Sequence, residues 1–173
     1  AWAGELGDIA QVLELFQVLL ANQERVLGCN HPDTLTTRNN IAALTGEMGD
    51  AAQALELFQA LLPDRERVLG RDHPDTLRTC GNIAAWTGQT GDAAQALELL
   101  QTLLPDMERV RGRDHPDTLG IRNNIAVLTR QTGDVAQALD LGQALLQDRE
   151  RVLGANHPDT LKTLGNIAAW AGE

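Results

Sequence analysis

At 173 residues the chain has the length of one ordinary domain, with 43% apolar residues and a formal net charge of −10. That acidic balance excludes non-specific nucleic-acid binding and an anionic membrane surface as main partners, because both need a dominant basic face. Aromatic residues make up only 3%, so a core must be assembled from Leu, Ile, Val and Ala. No apolar run approaches the roughly 20 residues of a membrane span, and no signal-peptide pattern is present.

The chain repeats itself. His-Pro-Asp-Thr-Leu begins at His31, His73, His115 and His157, each step being 42 residues. Asn-Ile-Ala recurs at Asn40, Asn82, Asn124 and Asn166, and Gly-Asp at Gly7, Gly49, Gly91 and Gly133, on the same step. A fixed period of this size marks a stacked helical-repeat architecture rather than a single compact core. The first and last five residues are identical, Ala1-Trp2-Ala3-Gly4-Glu5 and Ala169-Trp170-Ala171-Gly172-Glu173. The chain therefore starts and stops at one phase of the repeat and reads as a segment of a longer array. The expected division is a single array over 1–173: a partial repeat at 1–27, full repeats at 28–69, 70–111 and 112–153, and a partial repeat at 154–173.

In chain order, the first expected element is a stub of helix A at Ala1–Ala3, closed by Gly7-Asp8. A B helix follows from Asp8 to a turn at Gly28. In the first complete repeat, Pro32 suits the first position of a helix and pushes His31 out of αR, which puts His31 at the N-cap. Asp33 favours the helix dipole from the first turn. Leu35, Ile41, Ala42 and Leu44 give helix A its apolar stripe, and the helix runs to about Glu47 before Gly49. Asp50 opens helix B with Gln53 at capping-box spacing, as do Asp8/Gln11, Asp92/Gln95 and Asp134/Gln137. Helix B buries Ala54, Leu55, Phe58, Leu61 and Leu62 and ends at Gly70. Pro63 and Pro105 permit a kink but do not require one, because Ala21 and Gln147 stand there in the other copies. Eight full helices are expected, with turns at Gly28, Gly49, Gly70, Gly91, Gly112, Gly133 and Gly154. A strand, or a helix crossing a Gly-Asp pair, would contradict this layout. Ala54, Ala96 and Ala138 mark the close approach of paired helices. Ala96→Leu is expected to overpack that contact by about 1–3 kcal/mol, and an unchanged melting temperature would refute the assignment.

The motifs Asn30-His31-Pro32-Asp33-Thr34-Leu35, Asn39-Asn40-Ile41-Ala42, and Gly49-Asp50 with Ala54 resemble the tetratricopeptide repeat in its long form, as in kinesin light chains and their bacterial and archaeal relatives. The resemblance implies an all-α, right-handed superhelical solenoid of antiparallel helix pairs, with A helices on the concave face. It also implies an intracellular, cytoplasmic protein that holds a peptide or a partner protein. Kinesin light chains carry an aromatic near the end of helix A; this chain has Thr45, Thr87, Thr129 and Ala171 there.

His-Pro-Asp is also the signature of J-domain cochaperones, but four copies at helix starts point to a structural role. Histidines in neighbouring repeats are expected to be separated by at least a helix-packing distance of about 10 Å, too far to share a metal. The chain contains no Ser, and neither a phosphate loop nor a metal-ligand spacing occurs. The sequence thus predicts no enzyme, cofactor or metal. Cys29 and Cys80, at different phases of the repeat, read as free thiols in a reducing compartment.

Candidate binding residues lie on the A helices. The constant Asn40, Asn82, Asn124 and Asn166 offer amides suited either to a peptide backbone or to tying repeats together. Variable positions, which include Arg38, Asn39, Arg78, Arg122, Asn123, Arg130 and Lys162, are candidates for partner choice. The basic ones would favour an acidic peptide or a free C-terminus if they face a ligand rather than solvent. Trp2, Trp86 and Trp170 recur at 84 residues, with Gly81 and Gly165 in the Trp copies and Asn39 and Asn123 in the alternate ones. This suggests volume compensation and growth by duplication of a two-repeat unit. The alternative function is a structural module that self-associates head-to-tail. Ile9, Leu13, Phe16 and Leu20 would supply one face, and Leu161, Leu164, Ile167 and Trp170 the other.

Overall fold

The structure is a computed structural model that describes the backbone of residues 2–172 and the side chains of residues 9–172. Among the described residues there are eight α-helices and no strand: α1 Trp2–Leu27, α2 Pro32–Glu47, α3 Ala51–Leu69, α4 Pro74–Gln89, α5 Ala93–Arg111, α6 Pro116–Gln131, α7 Val135–Leu153 and α8 Pro158–Ala171. Even-numbered helices are the A helices of the repeat; odd-numbered ones are the B helices. The chain divides into two compact units, 1–90 carrying α1 to α4 and 91–173 carrying α5 to α8. Within each unit every helix packs on its neighbours in chain order. The fold class is an all-α helical-repeat solenoid.

Local chemistry sets the helix limits. The seven expected turn glycines all have positive φ, from 90° at Gly28 to 104° at Gly91, a region that is costly for any side chain. Each A helix has His at its N-cap and Pro in its first turn. The backbone N–H of Asp33, Asp75, Asp117 and Asp159 donates to Nδ1 of the histidine two residues before it, at 3.1–3.2 Å. Asp50, Asp92 and Asp134 accept the backbone N–H of Gln53, Gln95 and Gln137 at 2.9–3.0 Å. The Asp8/Gln11 cap and the Trp2 side chain lie outside the described side chains. α3 and α5 continue through Pro63 and Pro105.

One expectation fails. α1 is continuous through Gly7 and Asp8, so there is no separate stub of helix A before it. At Gly49 and Gly133 the turn is completed by an A helix that folds back and packs on the following B helix. The six residues before Gly7 cannot supply that packing, and the roughly 1 kcal/mol that a glycine costs inside a helix does not break it.

The core follows the repeat. Ala54, Ala96 and Ala138 are wholly buried, as are Leu35, Ala42, Phe58 and Leu61. In the first unit Ala42, Phe58 and Ile83 form a cluster covered by Leu55, Leu62 and Trp86.

Trp86 lies over Gly46 of α2, where an added Cβ would fall inside the indole. In the second unit both partners change. Arg130 stands at the Gly46 phase, and Gly142 replaces the Phe58-phase residue. Ile167 and Trp170 then lie against Gly142, 3.0 and 3.3 Å from where its Cβ would be. The indole therefore rests on an A helix in one unit and on a B helix in the other, in each case over a glycine.

Candidate peptide-binding face and the buried arginine clamps

The A-helix residues singled out by the sequence separate into two groups. The first is consumed inside the fold. Arg65 of α3 is wholly buried. Its Nη1 donates to Asn39 Oδ1 at 3.0 Å, to the Asp75 carbonyl at 2.8 Å and to Thr79 Oγ1 at 2.7 Å; its Nη2 donates to the Leu35 carbonyl at 3.4 Å. One guanidinium thus ties α2, α3 and α4 together. Arg149 of α7 repeats the arrangement in the second unit, donating to Asn123 Oδ1 at 3.4 Å, the Asp159 carbonyl at 2.8 Å, Thr163 Oγ1 at 2.6 Å and the Leu119 carbonyl at 3.5 Å. Burial pushes the Arg65 guanidinium down to about 10, against the nearby charge of Asp75.

These clamps explain the 84-residue period. Arg65 and Arg149 alternate with Gln23 and Met107, and Asn39 and Asn123 with Gly81 and Gly165, while the third position reads Thr37, Thr79, Ile121 and Thr163, with isoleucine only opposite Met107. A buried cation needs acceptors on both neighbouring helices, and where methionine stands both acceptors are gone. The Asn/Gly alternation is therefore coupled to a buried cation as well as to the volume of Trp. The signal was present in the sequence as Arg65 and Arg149 lying 84 apart, but their acceptors come from other helices.

Arg38 and Arg122 belong to the same consumed group. They face the following B helix, Arg38 donating to Asp64 at 2.7 Å and Arg122 to Asp148 at 2.8 Å. Asp64 is shared with Arg67, and Asp148 with Arg151. The Arg38 bond, then the Arg67 bond, holds the Asp64 carboxyl below its ordinary range. Arg122 does the same for Asp148. Arg78 is exposed and pairs with Asp75 of its own helix at 3.0 Å. Arg130 is half-buried near the end of α6.

The second group is open. Asn40, Asn82 and Asn166 are half-buried and Asn124 is exposed. Among the described residues none of the four amides makes a hydrogen bond. Beside them run Ala43 and Ala85 in the first unit and Val127 and Ala169 in the second, one helical turn further along the same faces. Lys162 is exposed on α8 and forms no ion pair among the described residues. Within each unit, a pair of unengaged amides flanked by small side chains can accept and donate to an extended backbone. Among the described residues no group of His, Cys, Asp and Glu could hold a metal ion. Cys29 and Cys80 form no disulfide, and among the described residues no helix is long and apolar enough to cross a membrane.

Of the two apolar sets, Ile9, Leu13, Phe16 and Leu20 are half-buried, at the phases of Ala51, Leu55, Phe58 and Leu62 of α3. The exposed apolar row of α1 is a different one: Val12, Leu15, Leu19 and Val26. A B helix has two apolar edges, one toward each neighbouring A helix, and the sequence reading chose the edge that α2 covers. On α8, Leu161 and Leu164 are exposed, while Ile167 and Trp170 are half-buried.

Two tetratricopeptide-repeat profiles match the chain, one over residues 1–63 and 38–109 and the other over 118–159. The chain belongs to the tetratricopeptide-repeat family. Repeats of this family bind proteins or peptides and are generally non-enzymatic. A Podosopora anserina protein of nearly identical TPR-like repeats, provisionally named a kinesin light chain, is similar in structure. Its Q17M variant has a TM-score of 0.78 and 22% identity, over 95% of this chain and 77% of that one. The parent crystal structure gives a TM-score of 0.76. BtubC (BKLC) from P. vanneervenii has a TM-score of 0.79 and 19% identity, over 98% of this chain and 68% of that one. No curated protein matches the sequence.

Proposed function

We propose that this chain is a single array of about four repeats that holds an extended peptide segment of a partner protein against its A helices. It is not an enzyme on this reading, and it needs no cofactor. The carrying observation is the set of four constant asparagines whose amides are left without a partner among the described residues. An amide that tied repeats together would be bonded, as Asn39 and Asn123 are. The expected ligand contacts are Asn40 and Asn82 in the first unit, and Asn124, Asn166 and Lys162 in the second. Arg38, Arg122 and Arg78 are occupied by Asp64, Asp148 and Asp75, so any preference for acidic or carboxylate groups rests on Lys162.

A peptide-library screen tests this. Asn82→Ala should weaken a selected peptide about tenfold, the worth of one hydrogen bond of roughly 1.4 kcal/mol, with little change in melting temperature. Unchanged binding together with a lowered melting temperature would make the amide a structural tie. Lys162→Glu, compared at two salt concentrations, reads the acidic preference.

A further inference from the structure

We propose that the buried arginine of each unit is a positioning residue: it fixes the spacing of the two open asparagine amides, so that one extended peptide meets both. This rests on the peptide-holding reading above and adds the device that makes the two amides act together. In the first unit Arg65 joins α2 to α4, the two A helices that carry Asn40 and Asn82. In the second, Arg149 joins α6 to α8, which carry Asn124 and Asn166.

The clamp grips each helix close to its amide. Its acceptor on α2 is Asn39, the neighbour of Asn40, and on α4 it is Thr79, three residues before Asn82. Asn123 and Thr163 stand in the same relation to Asn124 and Asn166. Asn39 Oδ1 and Thr79 Oγ1, on separate helices, both lie within 3.0 Å of one nitrogen atom. The Thr79 hydroxyl donates to the Asp75 carbonyl at 2.9 Å, which leaves an oxygen lone pair for Arg65. Thr163 and Asp159 repeat this at 3.0 Å. A guanidinium is planar and holds its donors in a fixed fork, so it sets the rotation and the axial register of both helices. A methionine side chain adapts to whatever gap the helices leave.

Stability does not call for this cation. A buried ion gains little over a well-packed apolar side chain. The chain carries an apolar alternative at the same phases, Gly81, Met107 and Ile121, with Met107 2% exposed. In Arg65 and Arg149 one donor, Nε, is even buried without a partner. What the cation adds is direction, and the amides beside it are the groups that need direction. An N–H···O bond holds only over about 2.7–3.2 Å, and an extended chain presents its polar groups at a fixed rise of about 3.3 Å per residue. Two amides on separate helices therefore serve one peptide only where the helices keep one spacing.

The test uses the full chain carrying Asn124→Ala and Asn166→Ala, which silence the second unit's pair, and a peptide selected on that background. Asn40→Ala and Asn82→Ala should each weaken the peptide about tenfold. The combination of Arg65→Met, Asn39→Gly and Thr79→Ile should also weaken it about tenfold while keeping a cooperative urea transition. Adding Asn82→Ala to that combination should then cost less than about threefold, because a peptide that reaches one amide at a time does not miss the other. Arg65→Lys keeps the charge, Asn39 and Thr79 but not the fork. It should show the same loss of coupling, and it decides the matter should the triple variant lose its cooperative transition. If neither asparagine substitution weakens the peptide, the peptide-holding reading fails and the clamp's role with it. If both do, and the Asn82→Ala loss stays tenfold in a folded clamp variant, only the positioning role is overturned.

Discussion

Arg65→Met should destabilise the chain by roughly 3 kcal/mol, and adding Asn39→Gly and Thr79→Ile should return most of that loss. The single substitution removes a donor that serves Asn39, Thr79 and two helix carbonyls at once. Acceptors left buried without a partner cost about 1–3 kcal/mol each, and the carbonyls retain their helical donors. The triple variant installs the Gly81, Met107 and Ile121 combination that the chain already uses one repeat later. Its residual deficit should be about the 1 kcal/mol that a mid-helix glycine costs. Urea titration of the parent, single and triple variants reads all three values. A single variant as stable as the parent would mean that the clamp does not hold α2, α3 and α4 together. A triple variant no better than the single would mean that the alternation is not a matched set.

Phe58→Ala should cost about 3–5 kcal/mol. Phe58 is wholly buried between Ala42 and Ile83, beneath Leu55, Leu62 and Trp86. Trp86 is held over Gly46 and cannot swing down to fill the cavity without leaving that seat. The second unit shows what a compensated version looks like. Gly142 occupies the same phase, and Ile167 and Trp170 have moved onto it. Gly142→Ala should therefore be near neutral, since a Cβ there meets its neighbours at 3.0 and 3.3 Å while helix propensity returns about 1 kcal/mol. Equal losses at the two sites would contradict the separate seats of the two tryptophans. A loss of 3–5 kcal/mol is a large fraction of the 5–15 kcal/mol typical of a folded domain.

What the sequence determined by itself is everything fixed within about four residues. The His-Pro-Asp helix starts, the Asp/Gln caps and the positive-φ glycines each depend on local backbone geometry, so each could be read from neighbouring letters, and their recurrence every 42 residues disclosed the repeat. The family followed from the same motifs. The constant asparagines were also visible, but whether they tie repeats or stay open was not, because that depends on what lies across the next helix. Tertiary structure alone decided that Asn39 and Asn123 are acceptors for a buried arginine 26 residues away, and that Arg38 and Arg122 face a B-helix carboxylate. It also decided which tryptophan rests on which glycine, and which edge of α1 is left bare. The continuity of α1 through Gly7-Asp8 belongs here too. A glycine ends a helix only where returning the chain brings packing that outweighs the lost turn, and that balance is set by the partner helix, not by the glycine.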